Sequence, residues 1–417
     1  MRVLLVHNSY RSDSPSGEQR VVDDESALLE AAGVTVLKYF RGSDEIKHFP
    51  LRRRIELPFR PIWSVEDTRG IADVIEHYAP DLLHVHNVYP LISPGVIRVA
   101  DQLGVPVVQT VHNYRHVCAN GSYFRDGRVC MDCMDSRSSW PAVAHGCYRG
   151  SRAQSVVMAT ALAVHVSTWR RVRLFLPVTE FVAQHLRWAG IPPERIRVKP
   201  NSAADPGSAG SAGRSLLYVG RLSEEKGLRK LLSAWERSLH PAFDELLIAG
   251  EGPLRPAVED LAARCPNFRY LGLLPRSEVH ERMATAGAVV VPSLWFEGFP
   301  ITVVEAFSHG RPVVATRLGS LGSVVDEQVG WTYPLGTGKL WDVLDGIRPD
   351  QLQEKGASAR QRYLERYSPR SALRDLLAAY DVALTRAASS KGQRDGPAGP
   401  AQPRANEPGG RPCASST

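Results

Sequence analysis

Two glutamates, Glu297 and Glu305, lie eight positions apart in the segment LWFEGFPITVVEAF (294–307). The preceding run AVVVP (288–292) is typical of a buried strand, and PITVVEAFSHG (300–310) is typical of a helix. A diphosphate bound at the start of this helix would have one carboxylate towards each of its ends. Because carboxylates accept hydrogen bonds from neighbouring hydroxyls, the pattern indicates a nucleotide-sugar site, with a ribose at one end and a hexose at the other. Two solvated glutamates on a surface helix are the alternative.

The start of the same helix is the reason to expect phosphate there. Pro300 stands at its first position, where a missing N–H costs little. The free N–H groups of Ile301, Thr302 and Val303 point beyond the strand end, together with the positive end of the helix dipole. Such a helix start is a ready site for an anion.

A second segment offers positive charge. YVGRLSEEKGLRKLL (218–232) supplies Arg221 and Lys226 in a predicted strand-to-helix loop. Two cations there could neutralise a leaving diphosphate, because charge-assisted contacts to phosphate are strong. Gly220 and Gly227 do not form a P-loop, since the lysine-serine pair that must follow the second glycine is absent. An ordinary turn with exposed charges is the alternative.

Apolar runs that alternate with helical stretches predict the fold. RVLLV (2–6), DLLHVHN (81–87) and VPVVQTVHN (105–113) are typical of buried parallel strands. KPNSAADPGSAGSAGRS (199–215) has no periodicity and is typical of a linker. Five further strand candidates follow it: SLLYVG, ELLIAG, FRYLG, AVVVP and PVVAT. The prediction is an α/β fold of two Rossmann-like domains that face each other across a crevice, where such folds bind ligands.

The predicted domain bounds follow from the linker. Residues 1–199 are predicted to form the N-terminal domain and residues 200–365 the C-terminal domain. A closing amphipathic helix, 366–388, is expected to pack back on the first domain. The tail 389–417 is rich in Gly, Pro, Ser and Arg and is expected to be disordered.

Composition narrows the function classes. The chain has 417 residues, with 43% hydrophobic and 23% charged residues, as in a globular protein. Its net charge of +7 comes mostly from scattered arginines, without a nucleic-acid-binding signature, so no nucleic-acid partner is expected. The start MRVLLVHNSY lacks the long apolar run of a signal peptide, and VVMATALAVHV (156–166) is too short to span a bilayer. A cytoplasmic enzyme is the expectation.

Three motifs in order, VGRLSEEKG, IAGEGP (248–253) and the Glu-x7-Glu of EGFPITVVE, resemble those of the family 4 glycosyltransferases of the GT-B fold. The resemblance extends over nearly the whole chain. It implies sugar transfer from a nucleoside diphosphate sugar with retention of the anomeric configuration and without a metal ion. No Asp-x-Asp element stands at a predicted strand end, which agrees with metal-free transfer.

The resemblance also implies that residues 1–199 are the acceptor-binding domain and residues 200–365 the nucleotide-sugar-binding domain, and it implies roles for residues of the second domain. Arg221 and Lys226 would hold the diphosphate, Glu305 the ribose and Glu297 the donor sugar. Leu273, which follows FRYLG, would lie near the base. The backbone amides of one turn would contact the phosphates; its residues are Phe299, Pro300, Ile301 and Thr302.

In the first domain, SPSGEQRVV (14–22) resembles the glycine-rich loop of the family, but it carries one glycine, Gly17, where many members have two. His112, in TVHNY, stands just past a predicted strand where the family has a histidine that contacts the sugar. Glu18 and His112 are therefore predicted to contact the acceptor. The acidic residues that follow could attract a cationic acceptor or face solvent; these are Asp23, Asp24 and Glu25. A turn glycine and a structural histidine are the alternatives.

Four cysteines, Cys118, Cys130, Cys133 and Cys147, form what we call the cysteine cluster, with a CxxC core. In a cytoplasmic protein such spacing favours a structural zinc site over disulfides. His116 and His145 are alternative ligands, and unlinked free cysteines are the alternative interpretation.

Two basic-aromatic segments, HFPLRRRIELPFRPIW (48–63) and WRRVRLF (169–175), could contact an anionic membrane surface. Solvated loops are the alternative. The protein is therefore expected to be cytoplasmic, with peripheral membrane contact as an open option.

These predictions combine into one function. We expect transfer of a hexose, with UDP-N-acetylglucosamine ahead of UDP-glucose as donor, to a hydroxyl of a small acceptor such as an aminoglycoside-type antibiotic intermediate. A lipid-linked or polysaccharide acceptor in cell-envelope synthesis is the alternative. A sugar-nucleotide epimerase fits the motifs less well. A nicotinamide dehydrogenase would need G-x-G-x-x-G after the first strand, which HNSYRSDSPSG lacks.

Overall fold

The computed structural model describes residues 1–10, 17–207, 210, 212–237, 240–336 and 338–394, with the backbone alone for 388–394. The part of SPSGEQRVV before Gly17 and the tail 395–417 lie outside the described residues.

The N-terminal half is built on a five-stranded parallel sheet of order β2-β1-β3-β4-β7. Its strands are β1 (Arg2–Ser9), β2 (Thr35–Gly42), β3 (Leu82–Val85), β4 (Val107–Val111) and β7 (Leu174–Pro177), and a small antiparallel hairpin is formed by β5 (Phe124–Arg125) and β6 (Arg128–Val129). The helices are α1 (Gly17–Ala31), α2 (Leu51–Glu56), α3 (Val65–Tyr78), α4 (Gly95–Gln102), α5 (Asp132–Asp135), α6 (Trp140–Ala144), α7 (Arg152–Trp169) and α8 (Glu180–Trp188).

The C-terminal half is built on a six-stranded parallel sheet of order β10-β9-β8-β11-β12-β13. Its strands are β8 (Ser215–Val219), β9 (Glu245–Ala249), β10 (Phe268–Gly272), β11 (Ala288–Val291), β12 (Val313–Thr316) and β13 (Gly330–Tyr333). The helices are α9 (Leu228–Arg237), α10 (Arg255–Arg264), α11 (Arg276–Thr285), α12 (Ile301–Ser308), α13 (Ser320–Val324), α14 (Lys339–Gly346), α15 (Pro349–Arg366) and α16 (Pro369–Arg394).

Both sheets are covered by helices, which is why their strands are apolar runs rather than alternating patterns. Strand β1 is buried from Val3 to Val6, and β11 and β12 are buried along their whole length. In each half the strand order reverses beside the first strand, so the carboxyl ends of the strands open on a crevice.

The last helix returns to the first domain. Leu376, Ala379 and Tyr380 of α16 pack in one apolar cluster with Val3 and Leu5 of β1. The helix also runs further than the sequence predicts, because it continues to Arg394 in the segment expected to be disordered. Extending a helix that is already formed costs far less than starting one, so polar residues such as those of SSKGQR can continue it.

Candidate active site

The start of α12 lies on the crevice between the two halves. Pro300 precedes the helix as its N-cap, one position earlier than predicted, and Ile301 is the first helical residue. The N–H of Val303 donates to the carbonyl oxygen of Pro300 at 3.1 Å. Val303 was predicted to offer a free N–H, so that prediction is wrong, because the first turn closes on itself. The amides of Ile301 and Thr302 precede this closure and lie at the open end of the dipole.

A second helix begins opposite. Gly17 is the first residue of α1, and a Cβ built on it would lie 3.7 Å from Cγ2 of Ile301. The N-termini of α1 and α12 therefore meet across the crevice, and two positive dipole ends converge on it. An anion between them would be stabilised from both sides.

Lys226 adds a full positive charge. Its Nζ lies 2.7 Å from Oε1 of the buried Glu297, which also accepts a hydrogen bond of 2.6 Å from Ser293 Oγ. Burial would raise the pKa of Glu297, but the Lys226 ammonium and these hydrogen bonds hold that pKa below its usual value. Glu297 is therefore ionised at neutral pH, with one side of its carboxylate fixed.

The loop that carries Lys226 depends on Gly227. Its φ is +71°, and a Cβ there would lie 1.8 Å from the carbonyl oxygen of Pro292 at the end of β11. Only glycine allows this approach, which brings the loop after β8 against the end of β11, five residues before Glu297. The backbone thereby brings Lys226 and Glu297, 71 positions apart in the chain, into contact.

The crevice between these elements encloses a cavity of about 530 Å³. Ten of the residues predicted to form the site line it: Gly17, Glu18, His112, Arg221, Lys226, Glu297, Phe299, Pro300, Ile301 and Thr302. A volume of this size suits a small-molecule ligand.

Two predicted residues lie outside that cavity. Leu273 is 72% exposed at the end of β10. Glu305 is buried one turn along α12, where Arg20 Nη1 binds its Oε1 at 2.5 Å. Arg276 and His280 lie 3.9 and 4.0 Å from the same oxygen. In the described part of the chain Glu305 thus joins the two halves through an ion pair rather than facing the cavity.

The two halves approach closely at Gly298. A Cβ on this glycine would lie 2.1 Å from the carbonyl oxygen of His112. The hydroxyl of Tyr114 donates to the carbonyl oxygen of Glu297 at 3.1 Å. The residues just after β4 and the segment EGFP (297–300) are therefore in direct contact, and this holds His112 beside Glu297 and Gly298.

His112 is oriented by a second histidine that the sequence analysis did not single out. His86 Nδ1 lies 3.0 Å from His112 Nε2, and the two rings are stacked. Burial holds the pKa of both rings well below the usual value, so both are neutral at pH 7. One ring must donate to the other, which leaves Nδ1 of His112 for a ligand.

The histidine pair rests on a buried polar network. Oε2 of Glu25 lies 3.6 Å from Nε2 of His86, and Oε1 accepts from the Lys199 ammonium. Among the described residues, three side chains could together hold a metal ion, because each offers a ligand atom within 4.8 Å of the other two. They are Glu25, His84 and His86. Because the Lys199 ammonium already pairs with the Glu25 carboxylate, we interpret the three groups as a buried polar cluster and not as a metal site.

The acidic residues after Glu18 do not line the cavity. Asp23 is exposed, Asp24 is half-buried, and Glu25 is buried with Lys199. The suggestion that they attract a cationic acceptor is wrong for Glu25, because helical periodicity turns this side chain towards the core.

Glu18 itself faces the cavity and carries an unusual proton affinity. Burial raises its pKa to about 7, although the Arg115 guanidinium and hydrogen bonds from Tyr10 and Asn113 lower it. Tyr10 Oη donates to Glu18 Oε2 at 3.2 Å. The charge of the Glu18 carboxyl group therefore changes near neutral pH.

Several cavity residues had no distinguishing pattern in the sequence. They come from the segment after His112 and from the strand ends, and include Asn113, Tyr114, Arg115, Asn120, Ser122 and Ser293. The repeated histidine in DLLHVHN was the one available signal for His86.

The comparisons with known proteins agree with this architecture. Residues 16–202 match the family model described as Glycosyl transferase 4-like domain, and residues 213–341 match the model described as Glycosyl transferases group 1. The two matches follow the two halves of the fold.

One relative is the phosphatidyl-myo-inositol mannosyltransferase of Mycobacterium leprae, 30% identical over 179 residues, which cover 42% of this chain and 48% of that protein. The chain thus spans about half of that relative's length. Sucrose-phosphate synthase of Thermosynechococcus elongatus superimposes with a TM-score of 0.66 at 16% identity, covering 92% of this chain and 99% of that one. HepE of Anabaena in complex with UDP gives a TM-score of 0.61 at 15% identity, covering 91% and 100%.

These structural likenesses show the fold. With the two family matches and the three motifs, they establish that the chain belongs to the family 4 glycosyltransferases of the GT-B fold.

Proposed function

We propose that the protein transfers a hexose from a UDP-sugar to a hydroxyl of an acceptor, with retention of configuration and without a catalytic metal. One observation carries the proposal: the N-termini of α1 and α12 meet at a cavity that also holds Arg221 and Lys226. These groups suit a diphosphate, which is the leaving group of a UDP-sugar. The complex of HepE with UDP supports the choice of nucleotide.

The proposed reaction takes place on one face of the sugar. The bond between the anomeric carbon and the β-phosphate oxygen breaks, and a bond to the acceptor oxygen forms. The acceptor proton passes to an oxygen of the departing diphosphate. Glu297 is held by Lys226 and Ser293, which suits a residue that binds the donor sugar rather than one that attacks it.

We assign the roles accordingly. Lys226 and Arg221 stabilise the leaving group with the amides at the start of α12. Glu297 and His112 bind the hexose, and Glu305 binds the ribose once Arg20 gives way or shares the carboxylate. Among donors we propose UDP-N-acetylglucosamine first and UDP-glucose second.

Incubation of the purified protein with a panel of UDP-sugars and candidate acceptors, read by mass spectrometry, tests the function. We expect UDP release and a product heavier by one hexosyl or N-acetylhexosyl unit. If no UDP-sugar of the panel gives either UDP or such a product, the proposal is contradicted. Interconversion of UDP-sugars without an acceptor would favour the epimerase.

The charge of Glu18 gives a pH prediction. Its pKa of about 7 means that the carboxyl is neutral below that pH and ionised above it. We place Glu18 against the acceptor, where the ionised form accepts a hydrogen bond from a hydroxyl more strongly. kcat/KM for the acceptor should therefore rise with pH through about 7, and Glu18→Gln should abolish this transition.

Glu76→Gln, at an exposed position of α3, serves as the matched control and should keep the wild-type pH profile. A Glu18→Gln enzyme that retains the transition near pH 7 would show that another group is responsible.

A small hydroxylated acceptor is the first candidate. One surface of the protein supports a lipid-linked acceptor as the second candidate. Around α2, Leu51, Ile55 and Phe59 are 75%, 66% and 61% exposed, and Arg52 and Arg53 lie among them. Such a mixture suits an anionic membrane surface. The segment 169–175 does not contribute, because Trp169 and Phe175 are buried, which corrects its predicted role. In the described part of the chain, no helix has both the length and the apolar character needed to traverse a bilayer.

Sedimentation with vesicles tests this candidate. We expect binding to phosphatidylserine vesicles that weakens with salt and is lost in Ile55→Glu. Leu364→Glu, which changes an exposed leucine on α15, is the control and should bind as wild type does. Equal binding by both variants, or none by wild type, would contradict the lipid-linked acceptor and leave the small acceptor as the candidate.

A further inference from the structure

The cysteine cluster comes together in the fold although its members lie on separate elements. All four side chains line one small cavity of about 20 Å³, together with Tyr123, Arg125 and Pro141 among others. Cys118 follows the turn after β4, Cys130 follows β6, Cys133 lies in α5, and Cys147 follows α6. Thiols separated by up to 29 positions therefore surround a space comparable to a single atom or water molecule.

Local backbone geometry produces this convergence. Asp126 and Gly127 both have positive φ, 52° and 76°, as a two-residue type I′ hairpin turn requires. The hairpin directs Cys130 back towards the segment of Cys118, since the N–H of Cys130 donates to the carbonyl oxygen of Tyr123 at 2.7 Å. Gly146, with φ +62°, ends α6 and turns Cys147 inward.

The chemistry of the four side chains indicates what the cavity would take. All four are free thiols, not disulfides. The histidines considered as alternative ligands do not line this cavity: His116 Nε2 lies 3.2 Å from Gln109 Oε1, and His145 is exposed. Four cysteine sulfurs with a CxxC core are the ligand set of closed, tetrahedral zinc sites.

We propose that the cysteine cluster binds one structural zinc ion as a Cys₄ site. Each thiol releases its proton when it binds, so that Zn²⁺ and four thiols give a zinc tetrathiolate of charge −2 and four protons. Arg125 lines the same cavity and offsets part of this charge. The Cys118 thiol donates to Asn120 at 2.9 Å and must turn towards the cavity to ligate. At least one more of the four side chains must also move, because among the described residues no three of these sulfurs lie within 4.8 Å of one another.

The site has a consequence for the neighbouring crevice. The segment between β4 and α7 is long and holds two-residue strands and short helices. Loops of this length need ordering by something besides secondary structure. Asn120, Gly121 and Ser122 of this segment line the large cavity. Because all four cysteines belong to this segment, zinc would fix its parts to one another and thereby order the residues that line the crevice.

Metal analysis of the full-length protein, purified without chelator or histidine tag, tests the proposal. We expect about one zinc ion per chain, as for a structural site. Cys133→Ser should lose the zinc, whereas Cys265→Ser, which removes a cysteine outside the cluster, should retain it. UDP binding should persist in Cys133→Ser, because the proposed diphosphate groups do not depend on the cluster. The metal content is therefore independent of whether the proposed function holds.

A second measurement does not depend on how the variant folds. Wild-type protein is treated with an alkylating reagent with and without a zinc chelator, and the modified cysteines are identified by mass spectrometry. We expect chelation to expose the four cluster thiols selectively while the labelling of Cys265 stays constant. No bound zinc and no uptake from zinc-buffered solution, iron in place of zinc, or native disulfides within the cluster would each overturn the proposal.

Discussion

Replacing Lys226 with alanine will lower kcat by about 10²–10³-fold, or roughly 2.7–4 kcal/mol, the usual cost of removing one preorganised donor to developing charge. The ammonium lies 2.7 Å from Glu297 and lines the cavity together with Arg221 and the start of α12. In the proposed reaction negative charge grows on the diphosphate as the sugar departs. Loss of the Lys226 ammonium is therefore expected to affect the transition state more than the bound donor. Steady-state kinetics with saturating donor measure the effect.

Lys230→Ala is the matched control. It removes the same charge one turn further along, at an exposed position of α9 outside the cavity, and should keep wild-type kcat. Because Lys226→Ala also leaves the buried Glu297 without its counter-charge, a melting temperature is needed for each variant. A folded Lys226→Ala enzyme with unchanged kcat would refute the role of this residue.

Gly298→Ala is expected to have the second large effect. A Cβ at this position would lie 2.1 Å from the carbonyl oxygen of His112, a distance that no rotamer can relieve. The two halves must move apart at the point where the hexose would lie. Since a displacement of about 1 Å can cost about 10²-fold in rate, we expect kcat/KM to fall by at least that order.

The same variant should leave each half intact. The melting temperature should change little. UDP should still bind, but more weakly, because the start of α12 and Lys226 belong to one half whereas the start of α1 belongs to the other. Small-angle scattering should show a more open molecule. Gly346→Ala, where the added Cβ meets nothing within 4 Å, is the control. Wild-type kinetics in Gly298→Ala would show that this close contact is not part of the active form.

The fold could be predicted from the sequence because its strands are buried on both faces. Continuous apolar runs such as those of β1 and β11 differ from the amphipathic pattern of the helices between them. The two sheets and their parallel topology follow from that alternation. The ends of helices were harder to predict. Helix α16 continues to Arg394 because extending an existing helix into polar sequence costs little free energy.

Site residues could be predicted from the sequence where they belong to a local motif. They could not be predicted where their role depends on contacts with residues far away in the chain. Lys226 and Glu297 stand in recognisable segments, and the structure brings them into one ion pair. The Arg20–Glu305 pair joins residues 285 positions apart, and the His86–His112 contact joins neighbouring strand ends. Neither contact follows from spacing along the chain, because both are created by the packing of one element on another.

The most direct test of the whole account is a crystal structure of the protein with UDP. We predict that the diphosphate lies between the N-termini of α1 and α12, within hydrogen-bond distance of Lys226 or Arg221 and of the amides of Ile301 and Thr302. UDP bound elsewhere on the molecule, or no binding at millimolar nucleotide, would contradict the account.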